Sequence, residues 1–256
     1  MEVEIDKDAV CDAIYSSKFI DKRGKEISAL RYGKVILTSG KISVFYIDHR
    51  AILADPKNTR TISDELTKVT NYFEDGKNYS ITSSEAAGIP WGSIVAHNLG
   101  VGFSVVRKNG KLMGTIPEYI EEVVAVDDLN TTLGTVLKVI ETVKSEGANI
   151  HNYIVSIDIE EPTPENEKKF KESGVTLTAL VTGMELIDYG FKEGLISEEQ
   201  AELVRKYRRN PDDFAIKVIE ENPEWIKSHE RLDKTKEYYA RKPRVRKVLE
   251  DAIGQN

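Results

Sequence analysis

Five short apolar runs alternate with amphipathic stretches between residues 78 and 181, and no other feature narrows the fold as much. The runs are NYSITSS (78–84), GFSVVRK (102–108), VVAVD (123–127), NYIVSID (152–158) and VTLTALV (175–181). They favour β-branched residues and end in glycine, proline or polar clusters, as buried strands do. WGSIVAHNLG, residues 134–146 and residues 164–172 instead space their apolar positions three or four apart, as helices do. A parallel strand pair needs a crossover long enough to hold a helix, so the alternation implies βαβ units. The prediction is an α/β fold with a central, mostly parallel sheet flanked by helices. Lys108 to Tyr119 is polar and contains glycine, and it reads as a mobile loop.

Upstream, residues 8–32 read as helical with a break at Lys22–Gly24, and residues 57–74 as a further helix. Between them, KVILT and SVFYID flank Ser39–Gly40 and read as a hairpin over 34–50. After Gly194 the pattern is helical only. Ser197 and Gln200 have the spacing of a capping box, and Pro211, Pro223 and Pro243 mark off three short helices.

The chain carries a net charge of −7 with 31% charged residues, which argues against nucleic acid as its main partner. Cys11 is the only cysteine, which excludes an intrachain disulfide. No apolar run approaches the roughly 20 residues of a spanning helix, and MEVEIDKDAV does not have the form of a signal peptide. A cytoplasmic location is expected. The four histidines show no metal-ligand spacing, and no Walker or dinucleotide fingerprint is present.

The chemistry concentrates in VVAVDDLNTTLGT (123–135). In an open parallel sheet, ligands bind beyond the carboxyl ends of the strands. Asp127 and Asp128 stand at such an end, and the loop after them opens a helix. A helix N-terminus offers N–H donors and a positive dipole end to a phosphate. Thr131, Thr132 and Thr135 add hydroxyls, and Gly134 allows close approach. Carboxylates cannot favour the phosphate itself. They suit a neighbouring polyhydroxyl group or a magnesium ion. A phosphorylated sugar satisfies both halves. Spacing alone leaves open that the acid pair merely caps the next helix.

The same segment resembles the phosphoribosyl pyrophosphate (PRPP) motif of type I phosphoribosyltransferases. Three more segments are similar, in order, to those of orotate phosphoribosyltransferases. ALRYGKVILTSGKISVFYIDHRAILADP (29–56) is similar to the N-terminal hood and first hairpin, ITSSEAAGIPWGS (81–93) to the pyrophosphate loop, and VRKNGKLMG (106–114) to the catalytic loop. The resemblance spans roughly residues 25–205. It implies a phosphoribosyltransferase domain over 1–205 with a small hood (about 1–55), and a helical C-terminal extension over 206–256. It implies that Asp127 and Asp128 contact the ribose, while Asn130, Thr131, Thr132, Leu133, Gly134 and Thr135 hold the 5′-phosphate. Glu85, Ala86, Ala87 and Gly88 would hold pyrophosphate with Arg107, Lys108 and Lys111. Lys41, Phe45 and Tyr46 would meet the base, and Lys108, Lys111 and Asp128 would act in catalysis. The implied cofactor is Mg²⁺, with no direct protein ligand. The implied substrates are PRPP and a nucleobase, orotate first. The implied assembly is a homodimer whose loop 107–119 reaches the partner's site.

Four positions depart from the family pattern. Leu133 stands where the family has glycine, which would cost roughly 1–2 kcal/mol if the backbone there has positive φ, and its bulk could crowd the phosphate. Met113 replaces a histidine, Ile159 an arginine that helps recognise orotate, and Thr38 a lysine. These departures leave two further readings: transfer to another base, or a catalytically impaired protein that binds PRPP or a nucleotide and regulates. RLDKTKEYYARKPRVRKV (231–248) carries eight Lys/Arg against two acids. Binding to RNA or phosphates is one reading, and a solvated or partner-packed helical face is favoured over it.

Overall fold

The computed structural model describes residues 3–37, 39–74, 78–118, 120 and 122–254; Thr38 and Tyr119, both named above, lie outside these. The chain opens with α1 (Lys7–Ser16), β1 (Lys18–Ile20), β2 (Glu26–Ser28), β3 (Leu30–Ile36) and β4 (Ile42–Ile47). The alternating block follows as α2 (His49–Leu53), α3 (Pro56–Glu74), β5 (Tyr79–Ser84), α4 (Gly88–Leu99), β6 (Gly102–Val106), β7 (Leu112–Met113), β8 (Glu122–Asn130), α5 (Gly134–Ser145), β9 (Asn149–Asp158), α6 (Pro164–Ser173) and β10 (Thr176–Thr182). Helices complete it: α7 (Gly183–Lys192), α8 (Glu198–Arg209), α9 (Pro211–Glu221), α10 (Pro223–Lys227), α11 (Leu232–Tyr239) and α12 (Pro243–Ile253). No described helix is long and apolar enough to cross a membrane.

Contacts divide the chain into two units. The first takes in residues 1–27 and 49–189 and is built on a six-stranded sheet of order β10-β9-β8-β5-β6-β7. Every pairing is parallel except β6 with the short edge strand β7. The βαβ expectation from residue 78 onward is met. β8 and β9 run nearly in register to their ends, so Asn130 faces Asp158 across the pair. That places the ends of β5, β8 and β9 side by side. Beneath them lies a core of Val123, Ala125, Val136, Ile140, Ile150, Val155 and neighbours.

One expectation fails near the start of the chain. Over residues 18–32 the chain forms β1, β2 and the start of β3 instead of a helix. Asp21 accepts from the N–H groups of Arg23 and Lys25, and Gly24 sits at φ 76°, so Lys22–Gly24 is a turn joining β1 to β2. Side-chain turn chemistry overrode a weak helical spacing. The stretch after Val106 opens with ordered hydrogen bonds. Arg107 N–H donates to Lys111 O and Gly110 N–H to Arg107 O, which closes a tight turn into β7.

The second unit takes in residues 28–48 and 190–256. Here β3 and β4 form the expected antiparallel hairpin. Ile36 and Ile42 bury their side chains among Val218, Ile219, Ile226, Tyr239, Val245 and Leu249 of the C-terminal helices. Tyr239 accepts the N–H of Ile42, and Arg231 donates to Ile36 O at 2.6 Å. At Gly40 (φ 91°) an added Cβ would lie 2.1 Å from the carbonyl oxygen of Lys234. Ser197 and Gln200 form the expected capping box. Past Pro211 the described residues hold four helices, not three, because a turn at 228–231 divides α10 from α11 without a proline or glycine to announce it. The basic segment lies against its own hairpin. Most of its charge is paired: Lys242 with Asp212 (2.5 Å), Arg244 with Asp213 (2.8 Å), Lys236 with Asp233 (3.5 Å), Arg246 with Glu250 (3.7 Å) and Arg231 with Glu230 (3.7 Å).

Candidate active site

The carboxyl ends of β5 and β8 border a cavity of about 220 Å³ in the first unit. Ser84, Glu85, Ala86 and Ala87 line one side, and Asp128 through Thr135 line the other. Sites for whole drug-sized ligands run to roughly 300–1,000 Å³, so this one suits a sugar phosphate more than a complete nucleotide. All twelve of its lining residues come from the two segments singled out in the sequence, 81–93 and 123–135. The Glu85–Ala86 peptide is cis.

The two aspartates occupy different surroundings. Asp128 is half-buried and lines the cavity. Asp127 is 2% exposed and is held from several sides. Tyr153 donates to its Oδ2 at 2.7 Å, and the N–H of Asp128 donates to its Oδ1 at 3.0 Å. The first residue of α4 lies directly against it: a Cβ on Gly88 would sit 1.8 Å from Asp127 Oδ1, so only glycine fits there. Burial, and then the neighbouring Asp128 charge, push the Asp127 carboxyl up to about 7, against hydrogen bonds from Ser84 and Tyr153. Burial also raises Asp128.

The loop from Asn130 to Leu133 is fastened from behind. Asn130 Oδ1 accepts the Leu133 N–H at 3.0 Å, while its Nδ2 donates to Asp158 Oδ1 at 2.8 Å. Leu133 has φ 64°, the left-handed conformation that glycine adopts freely. It is 5% exposed and packs in the core with Val136, Val139 and Ile140. Helix α5 begins at once, with Leu137 N–H donating to Leu133 O.

The basic turn sits beside the Glu85 loop. Lys108 N–H donates to Glu85 Oε2 at 3.0 Å, and Arg107 Nε lies 3.9 Å from the same oxygen. Lys138 donates to Lys108 O (2.9 Å) and Thr142 to Gly110 O (3.3 Å), which ties the turn to α5. The side chains of Arg107, Lys108, Lys111 and Met113 are exposed. Ile159 is 6% exposed and packs on Gly183. Lys41, Phe45 and Tyr46 belong to the second unit. There the Lys41 ammonium lies 5.2 Å from the centre of the Tyr207 ring, Phe45 meets Tyr207 edge-on, and the partly exposed Tyr46 carries the Arg31 guanidinium at 4.9 Å. Among the described residues no group of three or more His, Cys, Asp or Glu could hold a metal.

Sequence reading did not find Tyr153, Lys138, Thr142 or Asn166, which donates to Thr132 O at 2.8 Å. A tyrosine inside an otherwise apolar strand was the one available signal, since a buried phenol seeks a polar partner. The others sit on helix faces with no distinguishing pattern.

The parallel sheet, with this loop-bounded cavity at its carboxyl edge, has the layout of a type I phosphoribosyltransferase. No family model matches the chain. It is 31% identical over 166 residues to the orotate phosphoribosyltransferase of Methanopyrus kandleri, covering 63% of this chain and 86% of that one. It is 32% identical over 184 residues to that of Streptococcus sanguinis, covering 69% and 86%. The crystal structure of the Aeropyrum pernix orotate phosphoribosyltransferase superposes with a TM-score of 0.57 at 26% identity, over 72% of this chain and 99% of that one. Leishmania donovani UMP synthase shares the fold at a TM-score of 0.65 and 23% identity, over 79% of this chain and 42% of that protein. The chain belongs to the orotate phosphoribosyltransferase family and is an enzyme of the phosphoribosyltransferase class.

Proposed function

We propose that this protein transfers the phosphoribosyl group of PRPP to orotate, giving orotidine 5′-monophosphate and pyrophosphate. The observation that carries the reading is the convergence of the Glu85–Ala87 loop and the Asp128–Thr135 loop on one cavity at the sheet's carboxyl edge. The opening of α5 and the threonine hydroxyls suit the 5′-phosphate. Asp128 suits the ribose hydroxyls. Residues 85–88 with Arg107, Lys108 and Lys111 would receive the pyrophosphate, whose charge grows as it departs. In the reaction the bond from C1 to the pyrophosphate oxygen breaks and its electrons leave with the pyrophosphate. The base nitrogen bonds to C1 in its place and gives up its proton to solvent or to the departing pyrophosphate. The chain's contribution is position and charge: cations meet the leaving group, and Asp128 faces a ribose that becomes oxocarbenium-like.

Mg²⁺ fits this donor set. It commonly binds through substrate phosphates, water and few protein ligands. Among the described residues no group of three or more His, Cys, Asp or Glu could hold a metal, so substrate oxygens and water would supply most of its ligands. Bound by pyrophosphate oxygens, it would neutralise leaving-group charge. We further propose a homodimer in which residues 107–119 serve the partner's site, a cytoplasmic location, and base contact through Lys41, Phe45 and Tyr46. A second reading is transfer to a base without a carboxylate, favoured by the buried, apolar Ile159.

Pyrophosphate release from PRPP and Mg²⁺ tests the proposal, with orotate, uracil or no base. Orotate-dependent release is expected. Release with uracil alone would replace orotate by a neutral base, and no release with any base would leave the regulatory reading.

A further inference from the structure

Resting on the reading of residues 130–135 as the 5′-phosphate loop, we propose that Asn166 is a positioning residue for that loop. It holds the loop in the binding conformation that Leu133, in place of glycine, would otherwise abandon.

Three consecutive loop carbonyls are each taken up by the segment that follows β9. Ile159 N–H donates to Asn130 O (2.9 Å), Glu161 N–H to Thr131 O (3.0 Å) and Asn166 Nδ2 to Thr132 O (2.8 Å). The first two are backbone bonds. The third depends on one side chain, and it falls on the residue just before the one in the left-handed conformation. Asn166 is itself fixed in place. Its N–H is capped by Thr163 Oγ1 at 3.2 Å, in the first turn of α6. Its Nδ2 also lies 3.7 Å from where a Cβ on Gly134 would stand, so it abuts the start of α5. From the other side Asn130 holds the Leu133 N–H. The peptide between Thr132 and Leu133 is thus held at both ends by asparagine side chains, next to a residue whose L side chain resists its φ of 64°. Turning the carbonyls toward 159–166 also keeps their negative ends from a phosphate.

Losing the clasp should lower the fraction of loops that are ready to bind, and apparent affinity falls by that fraction. The expected signature of N166A is a KM for PRPP raised about fivefold, the size of one lost hydrogen bond, with kcat within about twofold. N166D, of the same shape but without the donor and with a charge near the carbonyl, should raise KM more than N166A does. If Asn166 only filled space, the isosteric N166D would instead be the milder change. The pairing with Leu133 is read from a double-mutant cycle: in L133G the loop takes its φ without strain, so adding N166A should change KM less than about twofold. An equal effect of N166A in the wild type and in the L133G background, or N166D milder than N166A, would overturn the proposal. Calorimetric titration of the wild type with ribose 5-phosphate separates the two levels. Binding with no Asn166 effect leaves the loop reading standing and this proposal refuted, while no binding refutes both.

Discussion

Leu133 shows how much one residue reveals before its surroundings are known. The PRPP motif has glycine there, so positive φ was legible, and φ is 64°. The direction of the side chain was not, because it depends on core residues from β8, α5 and β9. Two opposed effects now meet at one position. Burial of a leucine contributes roughly 1.5–3 kcal/mol, and the left-handed conformation costs it roughly 1–2 kcal/mol. Glycine loses the first and escapes the second. Alanine loses most of the first and keeps much of the second. Urea unfolding should therefore rank wild type above L133G and L133G above L133A, with alanine lower than glycine by about 1 kcal/mol. Alanine at or above glycine would mean that the strain is not felt. Asp127 was expected at the ribose. The acid pair was visible, but not the tyrosine that arrives from a different strand to hold one member. Its folded carboxyl, raised by burial to about 7 from 3.8, binds a proton more readily than in the unfolded chain. The stabilisation is complete below about pH 4 and is lost as pH rises through about 7. D127N should remove that slope, so melting temperatures across pH 4.5–8 should fall less with rising pH in D127N than in wild type.

At the scale of elements, the βαβ block was readable because its apolar runs are strong and its punctuation regular. Residues 18–28 were misread because Asp21 and Gly24 make a turn whose strands are too short to show a period. The stretch after Val106 was read as mobile from its polarity, yet its first residues are tied to α5. That helix begins at the loop proposed for the 5′-phosphate and, along its length, presents Lys138 to Lys108 O and Thr142 to Gly110 O. One rigid element thus sets both the loop and the basic turn. K138M keeps the apolar stem of the side chain and removes its donor. Amide exchange at residues 108–111 should quicken about threefold to tenfold in K138M, in keeping with one hydrogen bond lost at an exposed site, while β6 stays protected. Unchanged exchange would show that the turn holds itself, through the bonds between Arg107, Gly110 and Lys111.

At the scale of the molecule, the chain forms two units that do not follow its order, since the hairpin of residues 28–48 groups with residues 190–256. The sequence could not show this. A hairpin's apolar face carries no label for the element that will cover it, and helices far along the chain supply Val218, Ile219, Tyr239 and Leu249 to Ile36 and Ile42. Each unit has its own core, and each has one of the two tryptophans, Trp91 in the first and Trp225 in the second. Gly40 provides a selective lever. A methyl group there would stand 2.1 Å from Lys234 O on a backbone at φ 91°, so G40A should destabilise the second unit by about 2 kcal/mol or more. Fluorescence in urea can follow the units separately in W225F, which reports through Trp91, and in W91F, which reports through Trp225. The Trp225 transition should move to lower urea in G40A by more than the Trp91 transition does. Equal displacement would mean that the two cores unfold as one cooperative body.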